Sequence, residues 1–297
     1  MILNASGCLD ALTAPEVARQ LDAFVTKTVT PLPREGNAPE RIAETEAGML
    51  NSIGLANPGI DRFVRDVLPQ LLELGPPVWV SVGGFSASDY GDLCARLDDT
   101  DAAAIELNLS CPNVAEPEDE ATAIVASARA ATSKPLFAKL SPALPDIPAV
   151  ALAAADAGAD GLSLVNTIRG LALDPQTLRP RLATVTGGLS GPALRPVALA
   201  AVHACFRATG IPIVGMGGVE TGAHALELIA VGASAVALGT VLFVDPGAPA
   251  RIRKELEAEA ASRGLSEPSA ARGIAGGGVA SPADAVSKRS EQVGLKV

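Results

Sequence analysis

The sequence predicts an α/β protein, a single (β/α)8 barrel of the TIM type over residues 1–262, with a flexible C-terminal extension over residues 263–297. Three observations carry that prediction. Strand-length apolar runs alternate with stretches of helical spacing eight times, the order expected of parallel strands ringed by helices. The composition is aliphatic, since 48% of the 297 residues are hydrophobic but only 3% are aromatic, a mix that suits parallel strands covered by helices. Two units also repeat one plan. Ala157-Gly-Ala-Asp-Gly-Leu-Ser-Leu-Val-Asn-Thr and Val231-Gly-Ala-Ser-Ala-Val-Ala-Leu-Gly-Thr both run from a helix end through a Gly-Ala turn and a strand to a polar stop.

Residues 2–5 read as a short first strand stopped by Ser6-Gly7, and residues 13–21 as a helix with Pro15 in its opening turn. Residues 24–28 are the second strand. Residues 29–59 show no clear periodicity and are rich in Pro, Gly and Asn, and a connection of that length reads as a functional lid. Residues 61–74 return to helical spacing. Strands over 78–82, 104–109 and 136–140 follow, each paired with a helix, over 88–97, 119–131 and 147–157. The sixth strand, 161–166, leads into a second long loop over 167–192 and a helix over 193–208. Strands over 211–215 and 235–239, with helices over 221–231 and 246–262, complete the set. Beyond Arg263 the pattern fades. Residues 274–297 are rich in Gly, Ala and Ser with no apolar stripe, the composition of a flexible tail.

In such barrels the chemistry sits where strands end. Those ends read Ser6-Gly7, Lys27-Thr28, Ser81, Asn108 with Cys111, Lys139, Asn166-Thr167, Gly217-Gly218 and Gly239-Thr240. Amides, hydroxyls, two lysines, a thiol and paired glycines suit a planar polar heterocycle, a phosphate and a developing negative charge. The glycine pairs are the phosphate end, because bare backbone N–H groups after the last two strands can cradle an anion, with Gly191 a third donor loop. One pair alone would mark a tight turn as readily. Lys139 and Lys27 point into the mouth and need anionic partners. A reduced flavin, negative at its N1/O2 edge, would serve Lys139, and so would a salt bridge to an acidic neighbour. Cys111, in a polar loop after the 104–109 strand, is the candidate acid–base. Cys94 and Cys205 fall within apolar helical patterns, and Cys8 adjoins no comparable amide cluster. Glu106 points away from the site or makes a buried ion pair. His203 and His224 fall on exterior helices.

The formal charge of −10 argues against nucleic-acid binding, which needs a basic face. The N-terminus lacks a signal-peptide pattern, and the apolar runs are too short or too interrupted to span a membrane, so a cytoplasmic home is expected. The four cysteines are too widely spaced for a zinc site, a disulfide framework or an iron–sulfur cluster.

Several separated motifs belong together. They are Asn4-Ala-Ser-Gly, Lys27-Thr, Arg34-Glu-Gly-Asn-Ala-Pro-Glu-Arg, Leu50-Asn-Ser-Ile-Gly-Leu-Ala-Asn-Pro-Gly and Glu106-Leu-Asn-Leu-Ser-Cys-Pro-Asn-Val, then Lys139-Leu-Ser-Pro, Asn166-Thr, Gly187-Gly-Leu-Ser-Gly-Pro, Gly215-Met-Gly-Gly and Gly239-Thr. In order and spacing, over residues 4–256, the chain resembles the dihydroorotate dehydrogenases of the soluble class 1 type. The Gly187 motif and the contexts of Arg179-Pro and Pro196-Val-Ala-Leu lean towards the NAD-linked class.

The resemblance implies FMN bound across the C-terminal face by Ser6, Lys27, Thr28, Ser81, Asn108, Lys139, Val165, Gly191, Gly217, Gly218, Gly239 and Thr240. It places the pyrimidine and its carboxylate against Lys27, Asn51, Ile53, Gly54, Leu55, Asn108, Asn166 and Thr167, with Asn113 nearby. Cys111 would take the C5 proton of (S)-dihydroorotate while hydride leaves C6 for flavin N5, giving orotate in pyrimidine biosynthesis. A partner subunit with FAD and an iron–sulfur cluster, and a homodimeric core, are implied as well. Three departures stand out. The chain begins close to its first motif, so a hairpin plugging the barrel floor is expected to be missing or shortened. The loop from Val114 to Glu120 is short and lacks glycine, and Ser81 stands where the NAD-linked class usually carries asparagine, which resembles the fumarate-linked class. Two other readings stay open: a dihydropyrimidine dehydrogenase-like FMN enzyme acting on uracil-like rings, and a flavin-binding barrel without catalysis.

Overall fold

The computed structural model describes residues 1–109 and 117–276. The strands are β1 (Ile2–Asn4), β2 (Phe24–Val25), β3 (Ile42–Thr45), β4 (Gly48–Asn51), β5 (Val78–Val82), β6 (Ala104–Asn108), β7 (Leu136–Leu140), β8 (Gly161–Leu164), β9 (Ile168–Gly170), β10 (Gly187–Ser190), β11 (Ile213–Met216) and β12 (Ala235–Leu238). Eight of them form one parallel sheet in the order β1-β12-β11-β8-β7-β6-β5-β2. Its two edges meet. Leu3 bridges Ala23, and the Asn4 carboxamide accepts from Val25 N at 2.8 Å and donates to Val25 O at 2.7 Å. A side-chain amide thus continues a ladder that the two-residue β2 leaves incomplete, and the barrel closes.

The helices are α1 (Pro15–Ala18), α2 (Ile60–Arg62), α3 (Leu68–Leu72), α4 (Ala87–Asp98), α5 (Pro117–Ala131), α6 (Ile147–Asp156), α7 (Arg195–Thr209), α8 (Gly222–Ala230) and α9 (Ala248–Ser262), with a π turn over Phe63–Val67 joining α2 to α3. Their starts follow local chemistry. Ser86 and Asp89 form a reciprocal capping box on α4, and Asp146 and Thr221 cap α6 and α8. Such a cap contributes about 1 kcal/mol. The helix expected over 13–21 forms only at Pro15–Ala18: Ala14 at its start has no side-chain oxygen to cap it, and past Ala18 the chain turns by i to i+3 bonds, from Gln20 N to Val17 O and from Leu21 N to Ala18 O.

Two apolar layers hold the fold. Inside the barrel lie Leu3, Val25, Trp79, Phe137, Val214 and Met216, with the Trp79 and Phe137 rings 4.4 Å apart at 36°. Phe137 lies against Gly161, where a Cβ would come within 2.4 Å of the ring. Outside, the alternate strand residues pack on the helices, and Cys94 and Cys205 are fully buried there.

Both long loops carry structure that periodicity does not predict. β3 and β4 form a hairpin within residues 29–59, β9 and β10 lie within 167–192, and together they make an antiparallel sheet in the order β3-β4-β10-β9. Packing also continues past residue 262. A 3-10 turn over Pro268–Ala271 buries Ala271, and the Arg272 guanidinium stacks 5.1 Å from the Phe206 ring while Nε donates to Gly232 O at 3.0 Å. Arg272 and the Pro268–Ala271 turn thus lie against the α7 and α8 region, and residues 277–297 lie outside the described residues.

Candidate active site

At the C-terminal ends of the strands the chain encloses a cavity of about 1050 Å³, which residues of β4 and β10 also line. Ser6, Lys27, Thr28, Asn108, Lys139, Val165, Gly191, Gly217, Gly218, Gly239 and Thr240 all line it, as do Asn51, Ile53, Gly54, Leu55, Asn166 and Thr167. Ser81 does not. It is fully buried behind Thr28, its Oγ 3.0 Å from Thr28 Oγ1 and its backbone N–H donating to Thr26 Oγ1 at 3.1 Å. Ser81 shares the interior side of β5 with Trp79, but Thr28 comes between it and the cavity. Cys111 and Asn113 lie outside the described residues.

One end of the cavity is bare main chain. Gly191 has φ 102°, and a Cβ there would lie 2.5 Å from Gly48 Cα. This close approach presses the β10 end against the β3–β4 turn. Gly217 and Gly218 end the turn after β11, and Gly239-Thr240 follows β12, with Thr240 Oγ1 held 2.8 Å from Ser190 Oγ. Backbone of this kind suits an anion that must approach closely.

The other end is cationic. Lys139 is buried and pairs with Glu106, Nζ to Oε1 at 3.6 Å, which is the acidic neighbour the sequence allows for. Lys27 has no such relief. Burial and the nearby Lys139 ammonium push its pKa down, and among the described residues no carboxylate opposes them. A half-buried ammonium held in this way favours an anionic ligand. Cys8 joins this end too: burial pushes its thiol pKa up, while Lys139 and Lys27 pull the other way. Sequence position gives no sign of this, because the contact runs across the barrel seam.

Between the two ends, hydrogen bonds orient the amides. Asn108 Nδ2 donates to Thr28 Oγ1 at 3.4 Å, Asn166 Nδ2 donates to Asn108 Oδ1 at 3.3 Å, and Thr167 N donates to Asn166 Oδ1 at 2.8 Å. Tyr90 anchors the strand end by donating to Asn108 O at 2.7 Å. On the opposite wall Asn37 Nδ2 holds Ser52 O at 3.1 Å, and Asn57 Nδ2 holds Leu55 O at 2.7 Å, fixing Leu55 at φ 57°. Tyr90, Asn37 and Asn57 are positioning residues that sequence reasoning passed over. For the two asparagines the signal was their place in Pro- and Gly-rich stretches, where amides tie turns together.

Comparison with known proteins places this geometry in context. The sequence model described as dihydroorotate dehydrogenase matches residues 1–259. A dihydroorotate dehydrogenase B (NAD(+)) catalytic subunit from Desulforudis audaxviator is 46% identical over 278 residues, covering 89% of this chain and 90% of that protein. The same-named protein of Geobacter sulfurreducens is 46% identical over 256 residues, covering 83% and 84%. Among solved structures, dihydroorotate dehydrogenase from Eimeria tenella in complex with ferulenol superposes with a TM-score of 0.77 at 25% identity, covering 93% of this chain and 85% of that one.

Proposed function

The chain belongs to the dihydroorotate dehydrogenase family, and from that premise we propose that it is the catalytic subunit of an NAD-linked enzyme oxidising (S)-dihydroorotate to orotate in pyrimidine biosynthesis. It is an FMN-dependent oxidoreductase. The observation that carries the reading is the polarity of one cavity, glycine main chain at one end and the Lys27–Lys139 pair at the other. FMN has a phosphate at one end and an electron-accepting ring at the other, so the residues fit it.

Gly191, Gly217, Gly218, Gly239 and Thr240 would hold the phosphate. Ser6, Thr28, Asn108 and Lys139 would meet the polar edge of the ring, with Val165 against its apolar part and Ser81 acting through Thr28. When bound, FMN supplies the two-electron acceptor for the hydride lost from C6. Lys27 neutralises the substrate carboxylate. Asn51, Asn108, Asn166 and Thr167 orient the pyrimidine, and Ile53, Gly54 and Leu55 cover it and exclude water. Cys111 takes the C5 proton, a contribution of about 10²–10⁴-fold.

Relatives named as catalytic subunits imply a separate electron-transfer subunit. We assign it FAD and an iron–sulfur cluster, and assign this chain a homodimeric core and a cytoplasmic home. Among the described residues no helix is long and apolar enough to cross a membrane. Anaerobic mixing tests the substrate: dihydroorotate should bleach the yellow protein and dihydrouracil should not. Turnover with NAD only when the partner subunit is present, and none with fumarate, would fix the electron acceptor.

A further inference from the structure

Alternate residues of a barrel strand face the same interior, so Glu106 lies one layer below Asn108 on β6. Asn108 lines the cavity, whereas Glu106 is 1% exposed beneath it. Lys139 is in register with Asn108 on the neighbouring strand, yet its ammonium turns back down to Glu106 Oε1 at 3.6 Å. That is an ion pair without a hydrogen bond, and Glu106 Oε1 has no hydrogen-bond partner at all. Ser163 Oγ, in register with Lys139 on its other side, is likewise unpartnered. A carboxylate sealed in this way loses more hydration than one loose pair returns. Stability does not explain it.

Its electrostatic position does. Four titratable groups from four parts of the barrel meet here: Cys8 after β1, Lys27 after β2, Glu106 on β6 and Lys139 on β7. With the thiol neutral, two cations face the cavity and one anion lies behind them. A nicotinamide acceptor is a weak oxidant, so a site that overstabilised the reduced, anionic flavin would not release its electrons.

We propose that Glu106 is a positioning residue that holds the Lys139 ammonium and, by cancelling one charge of the lysine pair, limits how strongly the site favours two-electron reduced FMN. This inference rests on the function proposed above. The test is the midpoint potential of the FMN-loaded protein, measured anaerobically against redox dyes. Removing a unit charge at this depth should shift the reduced-to-oxidised equilibrium by about tenfold or more, which is about 30 mV for a two-electron couple. Glu106→Gln should raise the potential by that amount and Lys139→Gln should lower it. The double variant, which buries no charge, should return near the wild-type value and serves if either single variant fails to fold. A folded, yellow Glu106→Gln protein within twofold of wild type in that equilibrium would overturn the proposal. So would a double variant that stays as low as Lys139→Gln alone. If wild-type protein were colourless or unbleached by dihydroorotate, the function proposed above would fail instead.

Discussion

The Asn4 carboxamide makes with the backbone of Val25 the pair of hydrogen bonds that a neighbouring strand residue would make, at 2.8 and 2.7 Å and out of contact with water. The seam of the barrel depends on that mimicry, since β2 is only two residues long. The same seam carries Ser6 and Lys27 to the mouth, so closure and site geometry are linked.

Asn4→Leu keeps the branched shape in a somewhat larger side chain but strands a buried N–H and a buried carbonyl. Each lost partner costs about 1–3 kcal/mol, so the variant should lose on the order of 3 kcal/mol in urea unfolding. Asn4→Asp should restore the bond from Val25 N and lose the one to Val25 O. An Asn4→Leu protein as stable as wild type would show that the seam is held elsewhere.

Two glycines at the phosphate end separate folding from binding. At Gly239 an added Cβ makes only ordinary contacts, 3.6 Å from Cys8 Sγ, so the protein itself does not require glycine there. Gly191 is different, with φ 102° and a collision against Gly48. Gly239→Ala should therefore leave the apoprotein within about 0.5 kcal/mol of wild type while weakening FMN binding tenfold or more. Gly191→Ala should lose apoprotein stability as well. Thermal melts and FMN titration of both apoproteins check the contrast.

Lys27 offers a pH test. Its pKa is pushed below the ordinary 10.5 by burial and by Lys139. In the free protein the unfolded chain then binds more protons between the lowered value and 10.5, so this group's penalty on folding fades as pH rises through that window. Binding of an anionic substrate runs the other way, since it needs the ammonium. Orotate affinity should fall as pH rises, beginning below the range of a free lysine, and Lys27→Arg should flatten that limb because arginine stays charged. Lys27→Met should cost about 10–100-fold in kcat/KM, the worth of a charge-assisted hydrogen bond. Equal pH profiles for wild type and the arginine variant would remove Lys27 from carboxylate recognition.

How much of this was readable in advance follows from where the determining contacts lie. β5 and β7 match their expected bounds, because Val-Trp-Val-Ser-Val and Leu-Phe-Ala-Lys-Leu are apolar runs closed by turn residues. The four-stranded sheet beside the cavity was invisible because its strands alternate for four residues or fewer, and β4 pairs with β10 across more than a hundred positions. The strand ends could be read as converging on one cavity, since a parallel barrel gathers them at one face. Ser81 shows the limit: a place at a strand end does not tell what stands in front of it. Glu106 and Cys8 show it again, because their partners come from other strands.

The cysteines divide by environment, which yields a last prediction. Burial pushes Cys94 and Cys205 up to about 12. A raised folded-state pKa means that the native protein holds its thiol protons while the unfolded chain releases them, so stability falls as pH rises from about 9.0 towards 12. Because thiolate is the reactive form, neither residue should react with iodoacetamide in the native protein at neutral pH. Cys8 is held neutral by burial but lines the cavity, so it should be labelled slowly in apoprotein and protected by FMN. Cys111, proposed to act as the base, should label fastest and be protected by orotate. Peptide mass spectrometry resolves all four. Cys111→Ala should slow flavin reduction by dihydroorotate by about 10²–10⁴-fold at unchanged FMN content. If that variant is reduced as fast as wild type at neutral pH, the proton leaves C5 by another route and the thiol has no part in it.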